Sequence, residues 1–147
     1  MKSRQITPDV RRLVHERAHN CCEYCYAQLG YSPDPFNVEH IHPRSQGGTT
    51  SPANLALACF GCNNAKGTET TAIDFLTETV VPLYHPRQDR WEDHFRWNSN
   101  CTELIGVSAT GRATVALLKL NRPGLRQLRQ ILYAANEHPP TPINDDE

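Results

Sequence analysis

Cys22-Glu23-Tyr24-Cys25, then Glu39-His40-Ile41-His42-Pro43, then Asn54-Leu55-Ala56-Leu57-Ala58-Cys59-Phe60-Gly61-Cys62-Asn63-Asn64-Ala65-Lys66 are the stretches that decide how this chain folds. Cys22/Cys25 and Cys59/Cys62 form two Cys-x-x-Cys knuckles, the ligand pattern of a tetrahedral four-thiolate Zn²⁺. Four thiolates leave no open coordination position, so such an ion holds structure and performs no chemistry. The residues left over are a carboxylate–histidine pair, two asparagines and a lysine. They belong to a second, more open site built on the first.

Working outward, Thr7-Pro8 reads as a cap followed by proline at the first helical position. Val10, Leu13, Val14 and Ala18 then recur at helical spacing, which predicts a helix over about 8–18 leading straight to the first knuckle. Residues 36–41 read as a short strand ended by Pro43, and 44–53, with Gly47-Gly48 and Pro52, have the composition of a loop. Residues 55–58 form a second apolar run, and 63–66 start a brief helix that Gly67 can end. Farther on, 91–97 and 104–107 read as two strands of a hairpin turning at Asn98-Ser99-Asn100, with Trp91 and Trp97 on one core face. Thr110 is placed to cap a helix showing Ala113, Ala116, Leu117 and Leu120 on one face, and 121–123 opens another with Leu125, Leu128 and Leu132. The proline-rich, then acidic, end from 137 to 147 is expected to be a disordered tail. The expected plan is α+β, a single domain over 1–136 with a core at about 20–67 and an extension at 68–136.

A net charge of −1 over 147 residues argues against a globally basic nucleic-acid binder. The charge is uneven, however. Between residues 104 and 136 there are five basic residues, Arg112, Lys119, Arg122, Arg126 and Arg129, and no acid. That stretch can be a basic binding face or the solvated surface of two helices. Met-Lys-Ser-Arg-Gln leads into no apolar run of the signal-peptide type, and no segment is apolar enough to span a bilayer. A reducing cytoplasm without membrane attachment is therefore expected, where paired Cys-x-x-Cys motifs bind metal rather than form disulfides. Cys21 and Cys101 are read as non-ligands.

Glu39-His40-Ile41-His42-Pro43, Gly47-Gly48-x5-Asn54-Leu55 and Cys59-x-x-Cys62-Asn63-x-x-Lys66, in this order and nested between two knuckles, resemble the HNH endonuclease family. The resemblance covers about residues 17–67. It implies a ββα-metal (His-Me) finger, clamped by the four-cysteine zinc, with metal-dependent cleavage of a nucleic-acid phosphodiester as its activity. Asn63 stands where the family's second histidine is usual, and Glu39 where aspartate is usual, which makes this an HNN variant with a longer carboxylate arm.

Phosphodiester hydrolysis needs an activated water and stabilisation of the charge that builds on phosphate and leaving oxygen. A neutral imidazole can take the water's proton, so His40 is the expected general base. Glu39 and Asn63 are hard oxygen ligands suited to one catalytic Mg²⁺ or Mn²⁺, with positions left for phosphate and water. The resemblance gives Asn54 the role of bracing the loop behind His40. Lys66, Arg44 and His42 are the candidate phosphate contacts, while Tyr24 and Phe60 are expected to pack around the zinc. The expected partner is DNA, with RNA as an alternative, and a monomer or weak dimer would nick one strand. The rivals are a zinc-finger module that binds nucleic acid without cutting it and a zinc-ribbon protein-interaction domain; the latter leaves Glu39, His40, Asn54 and Asn63 together without a reason.

Overall fold

Thr7 starts the first helix, α1 (Pro8–Arg17), by accepting the Val10 N–H at 3.2 Å, with Pro8 in the first turn where no N–H is missed. The computed structural model describes residues 6–140. Val14 on the inner face of α1 is fully buried. In the last turn Arg17 reaches across to donate to the Pro52 and Leu55 carbonyls at 2.8 and 2.6 Å, which fixes the helix on the finger.

The finger is β1 (Asn37–His40), β2 (Leu55–Ala58) and α2 (Phe60–Lys66). The two strands pair antiparallel with Glu39 opposite Ala56 and His40 opposite Leu55. All four residues of β2 are buried, which is why Leu-Ala-Leu-Ala carries no polar alternation. The helix begins three residues before the expected start because the Cys59 thiol accepts the Cys62 N–H, making the knuckle itself the N-cap. Gly67, at φ 55°, ends it.

The extension adds β3 (Thr71–Asp74), β4 (Thr79–Pro82), β5 (Phe95–Trp97), β6 (Leu104–Gly106), α3 (Ala109–Leu118) and α4 (Pro123–Ala134). Each consecutive pair of strands forms its own two-stranded antiparallel sheet. The β3–β4 hairpin was not legible in the sequence: its outer face is open to solvent, with Phe75 and Leu76 more than 70 % exposed, so periodicity marks no core. What secures it is Asp74, fully buried, which accepts the Leu76 N–H and Thr77 hydroxyl of its own turn and both arms of Arg112 on α3.

Four expectations change here. Trp91 lies in a short helical turn (91–93) rather than a strand, and its ring stacks on Tyr26 at 5.1 Å while Trp97 meets Tyr26 edge-on. Ser108, not Thr110, caps α3 by accepting the Gly111 N–H; the Thr110 hydroxyl donates to the Pro82 carbonyl. The buried face of α3 carries Ala113, Thr114 and Leu118, and Ala116 is exposed, because the helix packs on β3 as well as β6. The packed chain also runs past residue 136: His138 is buried edge-on against Trp97 and hydrogen-bonded to the Cys101 carbonyl, while 141–147 lie outside the described residues.

A candidate metal-dependent site on a four-cysteine clamp

The Sγ atoms of Cys22, Cys25, Cys59 and Cys62 lie within 4.8 Å of one another, all in buried residues. Tetrahedral Zn²⁺ with Zn–S bonds of about 2.3 Å sets its sulfurs roughly 3.8 Å apart, and Cys25 and Cys59 are 3.6 Å apart. Backbone N–H groups of Cys25, Ala27 and Cys62 point at the sulfurs. The donor set therefore fits the ion, and these four residues can bind a structural zinc. A clamp of four thiolates around Zn²⁺ carries two net negative charges, and Arg122, at the head of α4, meets them by donating to Cys59 and Cys62 at 3.4 and 3.7 Å. Gly61 makes room for it: a Cβ there would stand 2.5 Å from the guanidinium.

The two residues inside the first knuckle face inward with separate duties. Glu23 accepts the Leu57 N–H at 2.9 Å and pairs with Arg87 of the extension. Tyr24, buried, donates its hydroxyl to Glu39. The carboxylate of Glu39 faces the ammonium of Lys66 at 3.5 Å on its other oxygen. Burial pushes the Glu39 pKa up, against the opposing pull of Lys66 and Tyr24.

Lys66 is a correction to the sequence reading. It is 2 % exposed and also donates to the Ile41 carbonyl at 3.0 Å, so it is the buried counter-ion of Glu39 and presents no charge to a bound phosphate. Phe60 differs in the opposite sense: it is 60 % exposed and does not pack around the zinc, because α2 turns that face to solvent.

At the C-terminal end of β1, His40 is half-buried, and its Nε2 lies 2.9 Å from the Thr50 hydroxyl. Burial, then the charge of Arg44, lowers its pKa below the ordinary histidine value, so the ring is neutral at pH 7. Glu39 and His40 thus have separate partners, Tyr24 and Lys66 for the carboxylate and Thr50 for the ring. Arg44 is exposed and lines a recess with Ser45, Gly48 and Thr50, the residue that holds His40. His42 is also exposed, with Nε2 3.0 Å from the Gln46 carbonyl.

Asn54 ties this loop together. Its side chain accepts the His42 N–H at 2.9 Å and donates to the carbonyls of His42 and Thr49. Gly48 is pressed onto the same strand end, where a Cβ would sit 1.8 Å from the His42 carbonyl oxygen. Asn63, half-buried in α2, makes no side-chain hydrogen bond among the described residues and stands one turn before Lys66.

Residues 22–69 match the HNH endonuclease family model. This HNH segment is about a third of the chain and holds both knuckles, β1, β2, α2 and all the candidate site residues. Its four-cysteine cluster is consistent with a zinc-binding form of the domain, and an HNH domain points to nuclease or nucleic-acid-binding activity. Comparison with curated proteins and with solved structures gave no significant match.

Sequence reasoning missed Tyr24 as a partner of Glu39, Thr50 as a partner of His40 and Arg122 as a partner of the thiolates. None has a spacing signature, since each pairing joins segments that only the fold brings together. The basic stretch on α3 and α4 is also recast. Arg112 serves Asp74, Arg122 serves the clamp, and Arg129, buried over the Trp97 ring, donates to Thr102, Asn121, Cys25 and Leu120. Three of the five positive charges are internal bracing and do not form a binding face.

Proposed function

We infer that this protein is a metal-dependent endonuclease that hydrolyses DNA phosphodiesters, one strand at a time, on a zinc-clamped HNH finger. The single observation that carries the reading is the setting of His40: a half-exposed imidazole held by Thr50 at the rim of a recess lined by the exposed Arg44. Nε2 is engaged by Thr50, so Nδ1 is the ring nitrogen left to take the proton of the attacking water. Arg44 meets the scissile phosphate in the recess it shares with Thr50, and His42, exposed on the same loop, meets the neighbouring backbone.

Glu39 and Asn63 are the residues that would hold one Mg²⁺ or Mn²⁺, an ion that supplies charge neutralisation at the phosphate and leaving oxygen. A carboxylate has about four lone-pair positions. Tyr24 and Lys66 occupy one on each oxygen, which fixes the group and leaves acceptor capacity for the ion. Asn54 keeps the His42–Thr49 loop in place and touches no substrate.

The test is conversion of supercoiled plasmid to open circles with Mg²⁺ or Mn²⁺. Nicking that chelator abolishes and His40→Ala lowers by about 10²–10⁴-fold, with DNA affinity kept, supports the reading. Binding without nicking in the wild type favours the non-cutting zinc-finger module.

A further inference from the structure

A cavity of about 270 Å³ lies where the finger meets the extension, and none of the roles above uses it. One wall is apolar: Ile41 from the finger, Pro82 and Leu83 from the end of β4. The opposite wall is the turn His85-Pro86-Arg87-Gln88-Asp89, and its polar groups are set by backbone contacts. The His85 ring accepts the Arg87 and Gln88 N–H groups on Nδ1, both at 3.2 Å, so the proton of the neutral ring sits on Nε2. Burial lowers the His85 pKa and favours that neutral form. Asp89 spends Oδ2 on the His85 N–H at 2.9 Å. Its Oδ1, His85 Nε2–H and the Gln88 side-chain amide have no hydrogen-bond partner among the described residues. The turn therefore offers the cavity one charged acceptor, one ring donor and one amide that can do either, beside an apolar wall, and His42, Lys66, Thr70 and Tyr84 complete the lining.

That combination does not suit a phosphate. The Asp89 carboxylate repels an anion, and the charge of Lys66, which also lines the cavity, is balanced by the Glu39 carboxylate at 3.5 Å. It suits a flat, neutral group with apolar faces and an edge carrying both a donor and an acceptor. The volume is below that of pockets for drug-sized ligands, and matches one ring system rather than a whole nucleotide. The cavity is also near the chemistry: Ile41 and His42 line it, and His42 is two residues past His40, about 7 Å along an extended chain.

We propose that this cavity receives one unpaired nucleobase bearing an exocyclic amino group, next to the scissile phosphate. Asp89 accepts from the amino group, and His85 and Gln88 meet the ring or carbonyl acceptor beside it. Adenine, cytosine and guanine carry such an amine, whereas thymine offers Asp89 only its ring N3–H, set between two carbonyl oxygens that the carboxylate repels, so thymine is disfavoured. The proposal rests on the nucleic-acid reading of the site, but it concerns binding and is tested without cleavage.

Single-stranded oligo-dC and oligo-dT of equal length, labelled for fluorescence anisotropy in chelator, are the probes. The wild type should bind oligo-dC about fivefold tighter, the worth of one net hydrogen bond. Gln88→Leu, at an exposed position that leaves the fold intact, should bring the ratio toward one. Asp89→Asn, which can turn an amide donor into the cavity, should reverse it. Equal affinities in the wild type, or a ratio unchanged in both variants, overturn the proposal. A retained ratio in a protein that fails to nick plasmid supports the base pocket and removes the hydrolysis reading instead.

Discussion

The zinc clamp and the rim around His40 are made from neighbouring residues of one finger, yet they are finished to different degrees. In the clamp every ligand is buried, backbone N–H groups reach the sulfurs, and Arg122 answers the thiolate charge from the far end of the chain. At the rim His40 is half-exposed, Arg44 and His42 are open to solvent, and Asn63 has no side-chain partner among the described residues. A group that must hold the chain together satisfies itself internally. The groups proposed to receive a phosphate, a water and an ion keep bonding capacity in reserve. Glu39 stands between the two, buried like the clamp but with lone pairs left over, and Tyr24, located between Cys22 and Cys25, makes the first region position the second.

The sharpest way to break this contrast is to remove the zinc. Structural Zn²⁺ in small domains contributes about 10–16 kcal/mol of apparent binding free energy, so Cys62→Ala or a strong chelator should abolish the cooperative thermal transition and release about one zinc per chain. A chain that keeps its transition without zinc would show that the clamp is not what holds the finger.

Tyr24→Phe tests the link. It leaves the ring in the core but takes one donor from a buried carboxylate, which should cost about 1–3 kcal/mol in stability. It should also weaken Mn²⁺ affinity by about 10–100-fold, measured by calorimetry on zinc-loaded protein. Loss of stability with unchanged Mn²⁺ affinity would detach Glu39 from the ion.

Arg44→Ala probes the rim alone. Desolvation and the Arg44 charge both hold the His40 pKa down, so the acid limb of the proposed nicking rate should lie below the ordinary histidine value. Protonation would remove the base, so activity should be lost as pH drops through the lowered His40 pKa. Without the arginine charge the pKa rises and the limb moves to higher pH, and a limb that stays in place would separate Arg44 from His40.

The smallest effect is expected from Gly61→Ala. The added methyl meets only the flexible end of Arg122, so the guanidinium shifts off the sulfurs at about 1 kcal/mol or less, read as a drop of a few degrees in thermal midpoint.

The parts legible in advance were those written in short spacings. Cys22/Cys25 and Cys59/Cys62 announce a metal whatever surrounds them, and Thr7-Pro8 starts α1 by local hydrogen bonding alone. Residues 37–40 and 55–58 also pair, as the resemblance to a ββα finger implied. Lys66 was misread for an instructive reason. Its helical spacing from Asn63 is correct, but spacing cannot say which face of so short a helix is covered, and β1 covers this one. The β3–β4 hairpin escaped because its anchor is an aspartate held by an arginine 38 positions away.

The sequence alone determined the four-cysteine cluster and the order strand–loop–strand–helix, because metal-ligand spacing, capping and turn formation act between residues a few positions apart, and the resemblance to the HNH family supplied Glu39, His40, Asn54 and Asn63 as the candidate set. The tertiary structure alone decided what each charged side chain faces: Lys66 against Glu39, Arg122 on the thiolates, Arg112 on Asp74, Thr50 on His40. Burying a charge is costly unless a partner meets it, and that partner is chosen by the packing of whole elements, which no local pattern records.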